Sequence, residues 1–377
     1  MERIYFDNAA TTPPAPEVVE AMLLALKNDF GNPSSIHAEG RKSRALIEKA
    51  RKFIANKLNA SIGEIFFTSG GTESNNLAIK HSVKNLGVKR IISSRLEHHC
   101  GLHSIDAIQK SDNIIVEYVE NDAHGKINLE QLESLLKDDS NKTLVSLMHA
   151  NNEIGTMIDL DAVSALCMQY GAYFHSDTVQ TICHYPIDLQ KTKLHFLSGA
   201  GHKFHGPKGV GFIYINSDIK VDPLIDGGSQ ERNMRGGTEN LYGIVGLEKA
   251  FELAYAHMDE WSEHILSLKN YFKEELKKYF DGIVFNGCEE NSLYTVLSVS
   301  FPENSKSEML LLNLDIAGIS CSGGSACTSG SEKGSHVIEA VHQTEKMRTI
   351  RFSFSHLNTK NEIDRCINLL KNWCNLK

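Results

Sequence analysis

Three short segments of this 377-residue chain set reactive side chains beside residues that let a backbone approach a ligand. The first is Phe67-Thr68-Ser69-Gly70-Gly71-Thr72-Glu73-Ser74, between a strand pattern and a helix pattern. Glycines there admit close contact, and free N–H groups at a helix start attract an anion. Thr72 adds a hydroxyl. The plainer reading is a tight strand-to-helix turn, since neither the dinucleotide-binding nor the P-loop spacing is met. The second is Tyr173 to Gln180 (YFHSDTVQ), which puts Asp177 at the end of an apolar run. Open α/β sheets place ligands at such strand ends; an acid there also serves as a helix N-cap. The third is Gly201 to Gly209 (GHKFHGPKG), where Lys203 is a Schiff-base candidate or a surface lysine in a turn.

Together the three say more than any one alone. An anion loop, an acid, and a lysine 26 residues beyond that acid suit pyridoxal 5'-phosphate. That cofactor needs a Schiff-base lysine, a carboxylate beside its ring nitrogen and a phosphate site. Glu97-His98-His99-Cys100 follows another strand, and a histidine there could stack on a flat cofactor or shuttle a proton. Cys327 sits in Ser320 to Ser331 (SCSGGSACTSGS), where small neighbours predict a mobile, exposed loop. A lone thiol so placed suggests a nucleophile that travels. Arg351, a charge inside the apolar strand pattern Thr349 to Phe354, needs a carboxylate partner from the protein or from a substrate. With seventeen histidines but no HExxH and no CxxC, an intrinsic metal site is not expected.

These residues need elements to carry them. Apolar runs predict strands at Glu64 to Thr68, Arg90 to Ser93, Asn113 to Tyr118, Thr143 to Met148, Ala172 to Ser176, His195 to Leu197 and Gly209 to Ile215. Helix patterns fit between them, as at Glu73 to Lys84, Leu129 to Leu136 and Asp161 to Tyr170. This alternation predicts an α/β unit with a mostly parallel sheet. One long helical stretch, Glu239 to Phe280, then leads to a smaller α/β unit. Its strands are expected at Tyr294 to Phe301 and Thr349 to Phe354, its helices at Ser307 to Leu314 and Glu362 to Cys374. Residues 15–255 would form the large domain, and 1–14 with 256–377 the small one.

Composition is ordinary for a globular chain, at 41% hydrophobic and 23% charged residues. A net charge of −8 argues against direct nucleic-acid binding or an anionic membrane surface. No run reaches the ~18 apolar residues of a membrane span. The opening MERIYFDNAATTPP has no apolar core of a secretory signal, so a cytoplasmic location with reduced cysteines is expected.

The chain resembles the cysteine desulfurases of the NifS-like type, within the class V aminotransferase family. The matching segments are DNAATTP (7–13), FGNPSSIH (30–37), FTSGGTESNNLAI (67–79), HANNEIGT (149–156), Asp177 with Gln180, GHKFHGPKG (201–209), MRGGTEN (234–240), GGSACTSGS (323–331) and IRFSFS (350–355). They span nearly the whole chain in the family's order. The resemblance implies a fold-type-I pyridoxal-phosphate transferase that removes sulfur from L-cysteine, leaving L-alanine and an enzyme persulfide. A selenocysteine lyase or another class V aminotransferase is the alternative.

The resemblance also implies roles. Lys203 would hold the cofactor and move protons, and Asp177 would keep the ring nitrogen protonated. His98 would stack on the ring and assist proton transfer. Gln180 and Asn152 would contact the ring hydroxyl, with Asn152 also near the substrate carboxylate. Gly71, Thr72 and His202 would bind the phosphate, and Thr238 would reach the phosphate of a neighbouring subunit in a homodimer. Arg351 would clamp the substrate carboxylate. Cys327 would take the sulfur, pass it to an acceptor such as an iron–sulfur scaffold, and could ligate a transferred cluster. Three positions depart from the family pattern. Ala200 replaces a serine, leaving its backbone N–H as the phosphate contact. Gly71 replaces an alanine, read as a mild change, and His356 replaces an arginine.

Overall fold

A computed structural model describes residues 3–138, 140–223, 225–304, 307, 309–323, 335–341 and 347–374. Its first part runs β1 (Ile4–Tyr5), α1 (Pro16–Asn28), α2 (Ala38–Lys57), β2 (Ile65–Thr68), α3 (Gly71–Lys84), β3 (Arg90–Ser94), α4 (His99–Asp112), β4 (Ile115–Val119) and α5 (Leu129–Leu136). There follow β5 (Thr143–Ser146), α6 (Leu160–Gln169), β6 (Tyr173–Asp177), β7 (Phe196–Ala200), β8 (Gly211–Ile215), α7 (Leu241–Ala256) and α8 (Met258–Tyr279). The last part holds β9 (Val284–Asn286), β10 (Val296–Pro302), α9 (Leu310–Ile316), β11 (Ile319–Ser320), α10 (His336–Val341), β12 (Met347–Ser353) and α11 (Lys360–Leu370). No described helix is long and apolar enough to cross a membrane.

Seven strands form one sheet in the order β2-β8-β7-β6-β5-β3-β4, and only β8 runs against the rest. Strands β2, β3, β5, β7 and β8 are buried along their whole length because both faces are covered. Alternate residues go to opposite sides. Phe67, Ile92, Val145, Leu197 and Phe212 enter one core, whereas Phe66, Ile91, Leu144, Phe196 and Ile213 enter another. A three-stranded antiparallel sheet, β12-β10-β9, has its own core around Phe6, Phe272, Phe352 and Phe354. There Phe6 and Phe354 meet edge to face at 5.4 Å.

The expected single helical stretch is two helices, broken at His257. The ring of His257 stacks on Trp261, and His356 stacks on the same indole at 3.8 Å and 6°. Trp261 packs against both the large-sheet core and the small-sheet core. The break therefore lets one aromatic stack fasten the two sheets, and His356 is a packing residue there.

A buried ion pair shapes the loop before α7. Arg51 of α2 makes two parallel bonds to the Glu231 carboxylate, at 2.7 and 2.9 Å. Both side chains are buried. Glu231 also accepts the Phe67 N–H at 2.7 Å, and the guanidinium lies over the Phe67 ring. Glu231, Arg232 and Asn233 are left-handed, with φ of 44°, 57° and 66°. Such a run in non-glycine residues is strained and persists only where surrounding contacts hold it. The Arg51–Glu231 pair supplies that hold. Arg51→Met leaves an unpaired buried carboxylate, so it is expected to cost about 3–5 kcal/mol in urea unfolding. Arg51→Met with Glu231→Leu should recover part of that loss; a single variant within 1 kcal/mol of the parent would show the pair to be dispensable.

Candidate active site

The parallel strands of the large sheet deliver the expected residues to their C-terminal edge. Asp177 ends β6, and Lys203 lies in the single 3-10 turn that leaves β7. Gly71 opens α3 just after β2, and His98 caps α4 just after β3. A cavity of about 250 Å³ lies there. Gly71, Thr72, His98, Asn152 and Asp177 line it, together with Gln180, Ala200, His202, Lys203 and Arg351. Residues as far apart in sequence as Gly71 and Arg351 thus meet in one space. Thr238 does not join them. It lies on a second cavity with Ser69, Gly209 and Arg235. Cys327 is outside the described residues.

The N-terminal segment frames the cavity. The Lys203 amine donates to the carbonyls of Ala9 and Ala10, at 2.6 and 2.9 Å. Gln180 donates its amide to the Ala9 carbonyl at 3.0 Å. His202 shares a 3.2 Å bond between Nδ1 and the Thr11 hydroxyl. Burial, with Lys203 and Lys208 nearby, pushes His202 down to about 4, so it is neutral at pH 7. Its ring can therefore donate to an anion only through one nitrogen.

Asp177 is held from two sides. One oxygen accepts the Val179 N–H at 2.9 Å, and the other accepts the Asn75 amide at 2.6 Å. Behind them His175 meets Asn75 Oδ1 at 3.2 Å, and full burial pushes its pKa down to about 4. A carboxylate so fixed can hold a proton on a group in the cavity without turning away.

Arg351 is 1% exposed and not an open fork. It donates to the Asp7 carboxylate at 2.9 Å and to the Asn152 carbonyl at 2.9 Å. The Ser322 hydroxyl donates to the same Asp7 oxygen at 2.7 Å. Arg351 Nε finds no partner among the described residues. Of the two partners the sequence leaves open, the protein's own carboxylate is the one in place.

Gly71 is not a mild change here. A Cβ at that position would meet Val179 Cγ2 at 2.6 Å. The glycine thus leaves room where α3 begins, and the N–H groups of its first turn have no helical partner. Ala200 sits 3.8 Å from the same point, fully buried, as a methyl rather than a donor.

Sequence reasoning missed Asn75, Cys100 and Asp7. Asn75 lies three and four residues beyond Thr72 and Gly71, on the same face of α3, and that spacing could have found it. Asp7 stands in a matched segment without an assigned use, and its partner is 344 residues away. Among the described residues, no group of three or more His, Cys, Asp or Glu side chains is placed to hold a metal ion.

Residues 4–366 match the model of the family described as aminotransferase class-V. A putative cysteine desulfurase IscS 1 of Bacillus subtilis (strain 168) is 43% identical over 369 residues, covering 96% of each chain. A solved structure named as a NifS-like protein superposes with a TM-score of 0.90 at 35% identity, over 98% of both chains. Another, described as SspA in complex with cysteine, gives 0.83 at 34% identity, over 94% of this chain and all of the other. With a family model matched over residues 4–366 and relatives aligned nearly end to end, the chain belongs to the class V aminotransferase family.

Proposed function

We propose that the chain is an L-cysteine desulfurase that uses pyridoxal 5'-phosphate. The observation that carries this reading is the single cavity holding Lys203, the fixed Asp177 carboxylate, the start of α3 and Arg351. Relatives named as cysteine desulfurases and a relative described in complex with cysteine support the substrate. The residues fit the cofactor. Lys203 is the one lysine among the described lining residues, and the space kept clear at Gly71 suits a phosphate approaching backbone N–H groups. Thr72 and His202 stand beside it, and Gln180 and Asn152 line the wall for the ring hydroxyl. The chemistry the cofactor supplies is an aldehyde carbon that takes an amine and a ring that withdraws electrons.

The chain's own residues do the rest. Lys203, whose amine bonds the Ala9 and Ala10 carbonyls, would hold the cofactor and would move the proton at the substrate Cα. Asp177 holds a proton on the ring nitrogen, which keeps the ring electron-poor. Arg351 and Asn152 orient the substrate carboxylate; the guanidinium is already balanced by Asp7, so substrate adds a second acid to it. The Cys327 thiolate attacks the substrate sulfur. An S–S bond forms, the substrate C–S bond breaks, and L-alanine leaves with a proton at the former sulfur-bearing carbon. The persulfide then passes to a sulfur acceptor such as an iron–sulfur scaffold protein or a thiolation relay. The division into a large domain (15–255) and a small one (1–14 and 256–377) gives each side of the cavity its own support.

We also propose a homodimer with shared sites. The outer face of α1 and the segment after it leave Leu24, Phe30 and Ile36 exposed at 54, 76 and 89%. That apolar surface suits a second copy of the chain. Thr238, which stands off its own cavity, would reach the neighbour's phosphate.

A cysteine pulse followed by thiol blocking and peptide mass spectrometry should find one added sulfur on the peptide holding Cys327. Cys327→Ala should keep fold and bound cofactor yet form no persulfide and release alanine at least a hundredfold more slowly. Persulfide found only on another cysteine would sink the assignment. Borohydride reduction of the holoenzyme should attach the cofactor to Lys203, and Lys203→Ala should abolish that attachment; a label on Lys208 would move the Schiff base there. Light scattering should give twice the chain mass, and Leu24→Asp with Phe30→Asp should shift it to the monomer. A fully active monomer would contradict the shared site.

A further inference from the structure

The cavity holds a thiol that the mechanism above does not use. Cys100 lines it beside His98. Its Sγ lies 3.1 Å from Asn75 Nδ2 and 3.0 Å from His98 Nδ1. The Cys100 backbone N–H also donates to His98 Nδ1, at 3.2 Å, where His98 caps the start of α4.

The direction of every bond in this group follows from groups that can act in only one way. A carboxylate accepts, so the Asn75 atom 2.6 Å from Asp177 is its NH₂. That NH₂ is also the donor to Cys100 Sγ. A backbone N–H can only donate, so His98 Nδ1 accepts and carries no proton. The Cys100 S–H then has the same Nδ1 as an acceptor at 3.0 Å, with the Thr72 hydroxyl also bonded to the thiol. Burial pushes the Cys100 thiol up to about 12, so it keeps the proton it donates.

We infer that Asn75 and Cys100 are positioning residues that commit His98 to the tautomer with its proton on Nε2, so that His98 presents a fixed, neutral hydrogen-bond donor to the cavity and is not the base of the reaction. The inference rests on the reading of this cavity as the cofactor site and deepens it. A second proton could enter His98 only at Nδ1, where it would face both the N–H and the S–H of Cys100. It would also break the cap of α4. The surroundings act mostly in the same direction. Burial is the largest influence on His98 and lowers its pKa, and Lys203, His336 and His103 lower it further. Asp177 opposes them. The His99 ring stands 6.2 Å away, and burial pushes the carboxyl of buried Glu97 well above the usual range. The base at the substrate Cα is then Lys203 alone.

The test reads His98 directly in the protein without substrate. Imidazole ¹⁵N spectra, with His98 assigned by the signal lost in His98→Gln, should show Nδ1 bare and Nε2 protonated at pH 7. Cys100→Ala removes the S–H, so His98 should titrate at higher pH than in the parent, and Cys100→Ser should bring it back. A proton on Nδ1 at pH 7, or an imidazolium, would overturn the inference from the parent protein alone, even if no Cys100 variant folds. Equal titration in parent, Cys100→Ala and Cys100→Ser would remove Cys100 from the role. None of these readouts depends on turnover, so a chain acting on a different substrate would leave the result standing.

Discussion

A guanidinium buried as fully as that of Arg351 needs a counter-charge that cannot drift, and Asp7 provides it. Breaking such a pair strands the remaining charge. The consequence is a course imposed on the whole N-terminal segment. Asp7 ties it to β12 and Ser322, and the Asn8 amide donates to the Ser353 carbonyl. Two residues on, the Ala9 and Ala10 carbonyls face the Lys203 amine. Thr12 then bonds the His202 carbonyl, and the Ala15 N–H bonds that of His205. One run of nine residues therefore sets the separation between the lysine from the large sheet and the arginine from the small one. Covalent connection through β8, α7 and α8 is far too long to do that.

The two sheets are fastened a second time by the stack of His257, Trp261 and His356. These are flat contacts between rings, unlike the directed bonds of the N-terminal segment. Flat faces tolerate small sliding, whereas the ion pair and carbonyl contacts do not. Any motion between the sheets is thereby steered to pivot on the segment that holds the reactive amine.

The strands of the large sheet were legible because full burial on both faces writes apolar runs into the chain, and the ends of β2, β3 and β6 fall within two residues of expectation. The break at His257 was not legible, since helix periodicity continues on both sides and only the tertiary stack selects the kink. Lys203, Asp177 and His98 could be read from residue type and from their place after strands. Asn75 was within reach of its helical spacing from Gly71 and Thr72, whereas Cys100 was not, because a cysteine in the first turn of a helix acquires meaning only through what it faces. Gly71 shows the opposite failure. Its identity was noticed, but the neighbour that makes it matter, Val179, comes from another strand end.

His98 unites local folding with chemistry in one atom. The α4 helix starts where it does because Nδ1 of His98 takes the Cys100 N–H, in the way that a serine or aspartate cap would. Serine would cap as well but would leave nothing to face a cofactor ring. Aspartate would add a negative charge near Asp177. Imidazole caps with one nitrogen and keeps the other for the cavity, and the cap itself decides which nitrogen carries the proton. A requirement of secondary structure thus does the work of setting a protonation state, and a helix start next to a cavity is the one place where a single hydrogen bond can do both.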